Sequence, residues 1–421
     1  MNQRMSGYTT CEQSVRKIES RIRSHSNAMR ARRADHECRG RQLLFLVSAV
    51  AATFVMVACS SGSESQVPAT RTPKPTFTTV PSTPLPVFSA TPSCTATPHL
   101  TSTPAPTPTA TANPYFNPLT GETVSDPAVL QRRPLLVRIG NDAEVRPQSG
   151  LSMADMVWEE AMDGWTITRL TAVVWSRDPE VLKPVRSARL FTIELGYMFD
   201  GALVHSGAND SVRWLLSQST LVDLDEYFHP APYSWLQPEG KWLEYPWMGR
   251  VATGAKKLRD YLKKIGKEKA VQLDGFTFSE ERPQGEAATY VEIPYPKRAL
   301  VEFRYDATSH LYMRWVRGEP HVDALTNEQL AASNIMVLYA TYQETDVKDV
   351  NGVATFNIVS TGEGRAQIFR DGVAVECKWI RPTREAFVRF VHLDGSPVPL
   401  RVGQSWVEVV PPDYQVTFEA E

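Results

Sequence analysis

Pro134-Leu135-Leu136-Val137-Arg138-Ile139, Arg169-Leu170-Thr171-Ala172-Val173-Val174-Trp175 and Ala202-Leu203-Val204-His205 decide how the first half of this chain folds. Each is a short run rich in apolar and β-branched residues, the pattern of a buried strand. Between the first two, Ser152-Met153-Ala154-Asp155 combines an N-cap serine with an acidic residue at the third helical position. It predicts a helix to about Met162, with Met153, Met156, Val157 and Ala161 on its core face. A second helix is expected over Ser187 to Met198 and a third over Val251 to Lys264. Strand, helix, strand, helix, strand at this spacing implies right-handed crossovers, hence an α/β N-terminal domain with a largely parallel sheet.

The texture changes downstream. Phe303 to Trp315, Ile335 to Tyr342, Ala354 to Val359, Ala366 to Phe369, Val373 to Trp379, Ala386 to Phe390 and Ser405 to Val410 are β-branched and aromatic runs. Gly362-Glu363-Gly364, Asp371-Gly372 and Asp394-Gly395 separate several of them, and Asp-Gly pairs are strong hairpin signals. An antiparallel β-rich C-terminal domain is expected. The predicted division is 114–285 for the α/β part and 286–421 for the β-rich part.

Upstream, Leu43 to Ala58 is uncharged, apolar or small, and follows Arg39 and Arg41. At 16 residues it suits the core of a signal peptide better than a spanning helix. Met56-Val57-Ala58-Cys59 resembles a bacterial lipobox, so residues 1–58 are expected to be a signal peptide with a long basic leader and Cys59 the lipidated residue. The competing expectation is an uncleaved single-pass anchor. Either places the domain outside the cytoplasm, at the outer face of a membrane. Residues 59–113 then form a lipidated Ser/Thr/Pro-rich tether, too poor in apolar residues to fold and biased by proline toward extended chain. Roughly 50 such residues reach on the order of 150 Å.

Charge and cysteine usage exclude several classes. The leader to Gln42 holds ten of the 45 basic and four of the 47 acidic residues, leaving 35 and 43, a net of about −8. Such a balance argues against nucleic acid as a partner, because phosphate neutralisation supplies most of that affinity. Of five cysteines only Cys377 falls in the folded part, in a strand-like context that predicts a packed thiol rather than a nucleophile.

Several segments together resemble the YerB-type lipoproteins, grouped under domain of unknown function 3048. They include Asn117-Pro118-Leu119-Thr120-Gly121, Arg146-Pro147-Gln148-Ser149-Gly150-Leu151-Ser152, Pro184-Val185-Arg186-Ser187-Ala188-Arg189, His205-Ser206-Gly207, Tyr312-Met313-Arg314, Asp323 and Gly403-Gln404-Ser405-Trp406. The resemblance implies an envelope lipoprotein with N- and C-terminal domains and no established activity. Between Tyr227 and Arg250 the chain departs from the family pattern.

No G-x-S-x-G elbow, P-loop, H-E-x-x-H or cysteine pair occurs in the exported part. No metal site and no cofactor is expected, since the histidines lack ligand spacing. In an open parallel sheet, ligands bind beyond the carboxyl ends of the strands. Three polar loops leave those ends, carrying Arg146, Gln148 and Ser149, then Arg186, Ser187 and Arg189, then His205, Ser206 and Asn209. With Ser187 opening a helix, its free N-H groups and the flanking arginines would form an anion site. The opposing expectation is that these arginines pair with Asp155, Glu159, Glu160 or Glu194 and merely pin the loops. Arg169, near the start of its strand, is expected at the opposite edge of the sheet. The preferred function is a binding or regulatory module for an anionic cell-wall ligand or envelope protein. The alternative is an envelope hydrolase or transferase with His205 as acid or base and Arg186 and Arg189 holding substrate charge.

Overall fold

A computed structural model describes residues 113–237, 249–296, 299–348 and 352–420. The expectations for the leader, Cys59, the tether and most of the Trp-rich stretch before Arg250 fall outside these residues.

The expected strands of the first half form as β1 (Leu135–Gly140), β3 (Thr168–Val174) and β4 (Ala202–His205). The expected helix over Ser152–Met162 does not: Met156–Ala161 is strand β2, buried along its whole length. The apolar spacing there fits either period. Burial on both faces of a central strand overrides the alternation that separates a half-exposed strand from a helix. Met156 and Trp158 enter one core while Val157 and Ala161 enter the other, on the opposite face. Asp155 is therefore not a helical residue. Its carboxylate staples loops, accepting from Asn117 Nδ2 at 2.7 Å and from the backbone N-H groups of Trp175 (2.7 Å) and Ser176 (3.0 Å).

Helix α1 runs over Leu190–Phe199, α2 over Asp210–Ser217 and α3 over Ala255–Lys264; β5 (Val222–Asp225) follows α2. The second half supplies β6 (Tyr290–Ile293), β7 (Val301–Asp306), β8 (Leu311–Val316), β9 (Asn334–Tyr339), β10 (Thr341–Lys348), β11 (Ala354–Val359), β12 (Gly362–Arg370), β13 (Val373–Arg381), β14 (Arg389–Val391), β15 (Ser405–Val410) and β16 (Thr417–Glu419).

One mixed sheet runs through both halves in the order β14-β13-β12-β9-β15-β2-β3-β1-β4-β5. Pairing is parallel at β1–β4 and β4–β5, with β3 antiparallel to both β1 and β2. The C-terminal half is antiparallel along β9-β12-β13-β14, and it joins the N-terminal half through parallel β15, held between β9 and β2. A second antiparallel sheet, β8-β7-β6-β16, packs its Val291, Val301 and Phe303 with Val157 and Val337 of the large sheet in one core. On the other face, α1 presents Phe191 and Phe199 to Trp158, with ring centroids 6.1 and 6.2 Å apart.

The motif at 146–152 is joinery between the halves. Asp323 accepts from the N-H groups of Gly150 (3.0 Å), Ser152 (2.8 Å) and Leu325 (2.8 Å) and from the Ser152 hydroxyl (2.8 Å). Gln404 donates to the carbonyls of Leu151 and Ala154. Gly150 stands at φ +92°, and a Cβ there would lie 2.5 Å from the Val181 carbonyl oxygen, so only glycine fits. Cys377 is buried, and its thiol is pushed up to about 12 by burial and by Glu376.

Candidate anion site at the carboxyl end of the first strand

Alternation along the central strands places Arg138 (β1), Glu160 (β2) and Arg169 (β3) on one face, the one covered by α1. Arg138 and Glu160 pair at 2.6 Å, with Arg138 also donating to Thr171 Oγ1 at 2.6 Å, while Arg138 Nε and Glu160 Oε2 make no hydrogen bond among the described residues. Burial raises the Glu160 carboxyl above its ordinary range, opposed by Arg138.

Arg169 is different. Its side chain is 3% exposed, and neither Nε nor Nη1 makes a hydrogen bond among the described residues. The nearest carboxylate is Asp142 Oδ2, 3.7 Å from Nη1, and that oxygen also lies 3.9 Å from Arg186 Nε. Burial, then Arg186, holds the Arg169 guanidinium well below its ordinary value; Asp142 opposes this, and Arg189 and Arg138 add to it. A guanidinium stays charged in proteins. The lowered value therefore records a buried positive charge that its surroundings compensate incompletely.

Arg186 and Arg189 arrive from the loop after the β3 segment. Arg189 pairs with Asp163 at 2.8 Å, and burial lowers its guanidinium against that pairing. Arg186 crosses β1 at Gly140, where a Cβ would stand 2.8 Å from Arg186 Cγ and 3.3 Å from Arg169 Nη1. Both retain solvent access, with side chains 21% and 18% exposed. Among the described residues, four arginines thus meet three carboxylates, Glu160, Asp142 and Asp163. None of Asp155, Glu159, Glu160 or Glu194 pairs with Arg186 or Arg189: Glu159 takes Arg314, Glu160 takes Arg138, and Glu194 takes Arg381 and Arg384.

Ser187 is not a cap. Helix α1 opens at Leu190 with Arg189 in the cap position, its N-H donating to Thr192 Oγ1, and the preceding Ala188 N-H donates to the Gly207 carbonyl. Ser206 N-H donates to the Arg186 carbonyl and its hydroxyl to Glu226 at 3.3 Å, while Asn209 caps α2 through Val212 N at 2.8 Å. His205 is wholly buried, Nδ1 against the Gly207 carbonyl at 3.0 Å and Nε2 against Asp223 Oδ1 at 2.7 Å.

Arg146, Gln148 and Ser149 lie elsewhere. Arg146 donates to Asn141 Oδ1 and to the Asn141 carbonyl, and burial, partly offset by Glu159, lowers it to about 10. Gln148 donates to the Gly140 carbonyl and faces His321 Nε2 at 2.7 Å; Ser149 N-H donates to the Lys183 carbonyl. These residues border a second buried network on the opposite face, in which Arg314 binds Glu159 (2.6 Å) and Glu408 (3.2 Å) under the Trp406 ring. The structure therefore gathers Arg186 and Arg189 with Arg169 and Arg138, and separates them from Arg146. Among the described residues, no three His, Cys, Asp or Glu side chains are grouped to hold a metal ion.

Two family profiles match the chain: "Protein of unknown function (DUF3048) N-terminal domain" over residues 119–241 and its C-terminal counterpart over 291–407. "Putative lipoprotein YerB" of Bacillus subtilis (strain 168) is 30% identical over 317 residues, which span 72% of this chain and 88% of that one. The crystal structure of YerB protein from Bacillus subtilis superposes with a TM-score of 0.61 at 26% identity, covering 72% of this chain and 99% of the other.

Proposed function

The chain belongs to the DUF3048 family of YerB-like proteins, and on that premise we propose that it is a lipid-anchored extracytoplasmic module that binds an anionic envelope ligand. The anchor reading rests on Cys59 after an uncharged apolar segment and on the name of the Bacillus relative. The binding reading rests chiefly on Arg169, a buried guanidinium with hydrogen-bonding capacity unused and its nearest carboxylate beyond hydrogen-bond range. An incompletely compensated buried charge is costly, and an external anion would relieve that cost. Among the described residues, four arginines stand against three paired carboxylates in this cluster, an excess of positive charge. A carboxylate or phosphodiester group, with two oxygens for the planar guanidinium, fits that excess. The hydrolase reading draws no support from His205, whose ring nitrogens both face acceptors inside the protein.

The test uses full-length protein in detergent, melted with and without citrate, acetate or phosphate. A bound anion raises the melting temperature in proportion to RT ln(1 + [L]/Kd). The parent should be stabilised and Arg169→Met should not, while Arg169→Met without ligand should melt no lower than the parent. A large loss of stability in Arg169→Met, or no response of the parent to any of the three anions, would overturn the binding reading. Cys59→Ser should separately abolish lipid labelling in cells.

A further inference from the structure

A cavity of about 540 Å³ opens between α2, β5 and the segment after β5, away from the arginine cluster's own ion pairs. Its rim carries large exposed aromatic rings: Trp214 is 62% exposed and Phe228 61%, with Tyr227, 71% exposed, packed edge-on against Phe228 at 5.0 Å. Amphipathic and aromatic surface left in water at this scale marks a contact site. The polar groups between the rings are held in place. Asp223 Oδ1 is fixed by buried His205 at 2.7 Å and by the Asp225 N-H at 3.1 Å, while its Oδ2 makes no hydrogen bond among the described residues. Arg213 is fixed through Nε to Asp225 at 3.1 Å, which leaves its terminal nitrogens as donors, and its guanidinium lies 5.5 and 5.8 Å from the Tyr227 and Phe228 rings. His229 is oriented by Tyr261 through Nδ1 at 2.8 Å.

We infer that this cavity is a saccharide-binding site, in which Trp214 and Phe228 stack on pyranose rings and Asp223 and Arg213 bind adjacent hydroxyls. A sugar presents apolar C-H faces and paired hydroxyls that both donate and accept. Flat rings flanking a carboxylate acceptor and a guanidinium donor match those two demands together. A peptide helix or a membrane surface would call for an exposed aliphatic stripe; the aliphatic wall of this cavity, Leu216, Leu221, Val222 and Ile265, is buried or half-buried, and the large exposed apolar side chains here are aromatic except Leu215. The volume lies within the range of roughly 300–1,000 Å³ typical of small-molecule sites. Preorganisation of Asp223 by a fully buried histidine reduces the entropy lost on binding.

The experiment titrates the full-length protein in detergent with cellotetraose, chitotetraose and maltotetraose at millimolar concentration, following tryptophan fluorescence and calorimetry. At least one should bind saturably, with Trp214→Ala and Asp223→Asn each weakening it by about tenfold or more. Tyr115→Ala, which removes an exposed ring elsewhere, should bind as the parent does. Unchanged melting temperatures in both site variants keep the comparison fair, and Trp214→Phe, which retains a ring, should recover most of any loss. No saturable binding by any of the three sugars, or binding indifferent to both substitutions, overturns the inference. So does Trp214-dependent binding to phosphatidylcholine vesicles in the absence of sugar binding.

Discussion

Gly140 on β1 and Arg169 on β3 are partners in an antiparallel register, and the absent side chain of the glycine is the space through which Arg186 reaches Arg169. Nothing in the local backbone demands glycine there: Gly140 is not among the glycines with positive φ. Its role is steric. Gly140→Ala should therefore fold, at a cost on the order of 1 kcal/mol as Arg186 shifts aside. It should nonetheless abolish the anion-dependent rise in melting temperature proposed above. A variant that keeps the full anion response would show that Arg186 and Arg169 need not approach each other.

Arg138 offers the contrasting case within the same cluster. It donates to both Glu160 and Thr171, so removing it strands a buried carboxylate and a hydroxyl. Breaking one side of such a pair typically costs about 3–5 kcal/mol. Arg138→Met should lower the unfolding free energy from chemical denaturation by that amount, whereas Arg169→Met should not. Equal destabilisation by the two substitutions would mean that Arg169 is as well compensated as Arg138.

The difference between these two arginines was hidden in the sequence by a single element. Reading Ser152 to Met162 as a helix makes the following strand parallel to β1 and sends Arg169 to the far edge. As a strand, β2 forms an antiparallel pair with β3, and the start of β3 falls beside the end of β1. One signal was present: the helical stripe of Met153, Met156, Val157 and Ala161 omits Trp158, whose side chain is fully buried. The loop arginines Arg186 and Arg189 were legible because they flank polar, Pro-punctuated chain at a predicted strand end. Their partners Asp142 and Asp163 were not, since each belongs to a loop whose path depends on β2. The change from an α/β N-terminal part to an antiparallel β-rich C-terminal part was legible from run length and Asp-Gly turns, but the antiparallel place of β3 in the expected largely parallel sheet was not. The continuous sheet was not, because the parallel insertion of β15 between β9 and β2 joins residues some 250 positions apart.

Asp323 tests that joining directly. Its carboxylate accepts from three N-H groups and one hydroxyl, two of those N-H groups in the 146–152 motif. Leaving several buried donors unsatisfied costs roughly 1–3 kcal/mol for each that water cannot reach. Asp323→Ala should thus lower stability by at least about 2 kcal/mol and speed hydrogen exchange at Gly150 and Ser152 ahead of the β1 and β3 amides. Unaltered exchange at those two positions would mean that the loop holds its place without the second half.

Glu408 carries the prediction for pH. It sits opposite Glu159 across the β2–β15 register, both wholly buried and both bonded to the one guanidinium of Arg314. Burial, then the neighbouring Glu159 charge, raises the Glu408 carboxyl well above its ordinary value, and Arg314 opposes the shift only in part. A carboxyl raised in the folded state holds its proton more tightly there than in the unfolded chain. Its contribution to stability is fully present below the ordinary carboxylate range, and it is lost as the pH rises from there through the raised value. Gln supplies a neutral side chain of the same shape, fixing the uncharged form. Glu408→Gln should accordingly be more stable than the parent at neutral pH, by on the order of 1 kcal/mol, and the advantage should shrink to nothing on acidification to about pH 4. Denaturation midpoints of both proteins across this range provide the check. A variant less stable than the parent at neutral pH would mean that the ionised Glu408 is a net stabilising partner of Arg314, and that the paired carboxylates are fully compensated by one arginine.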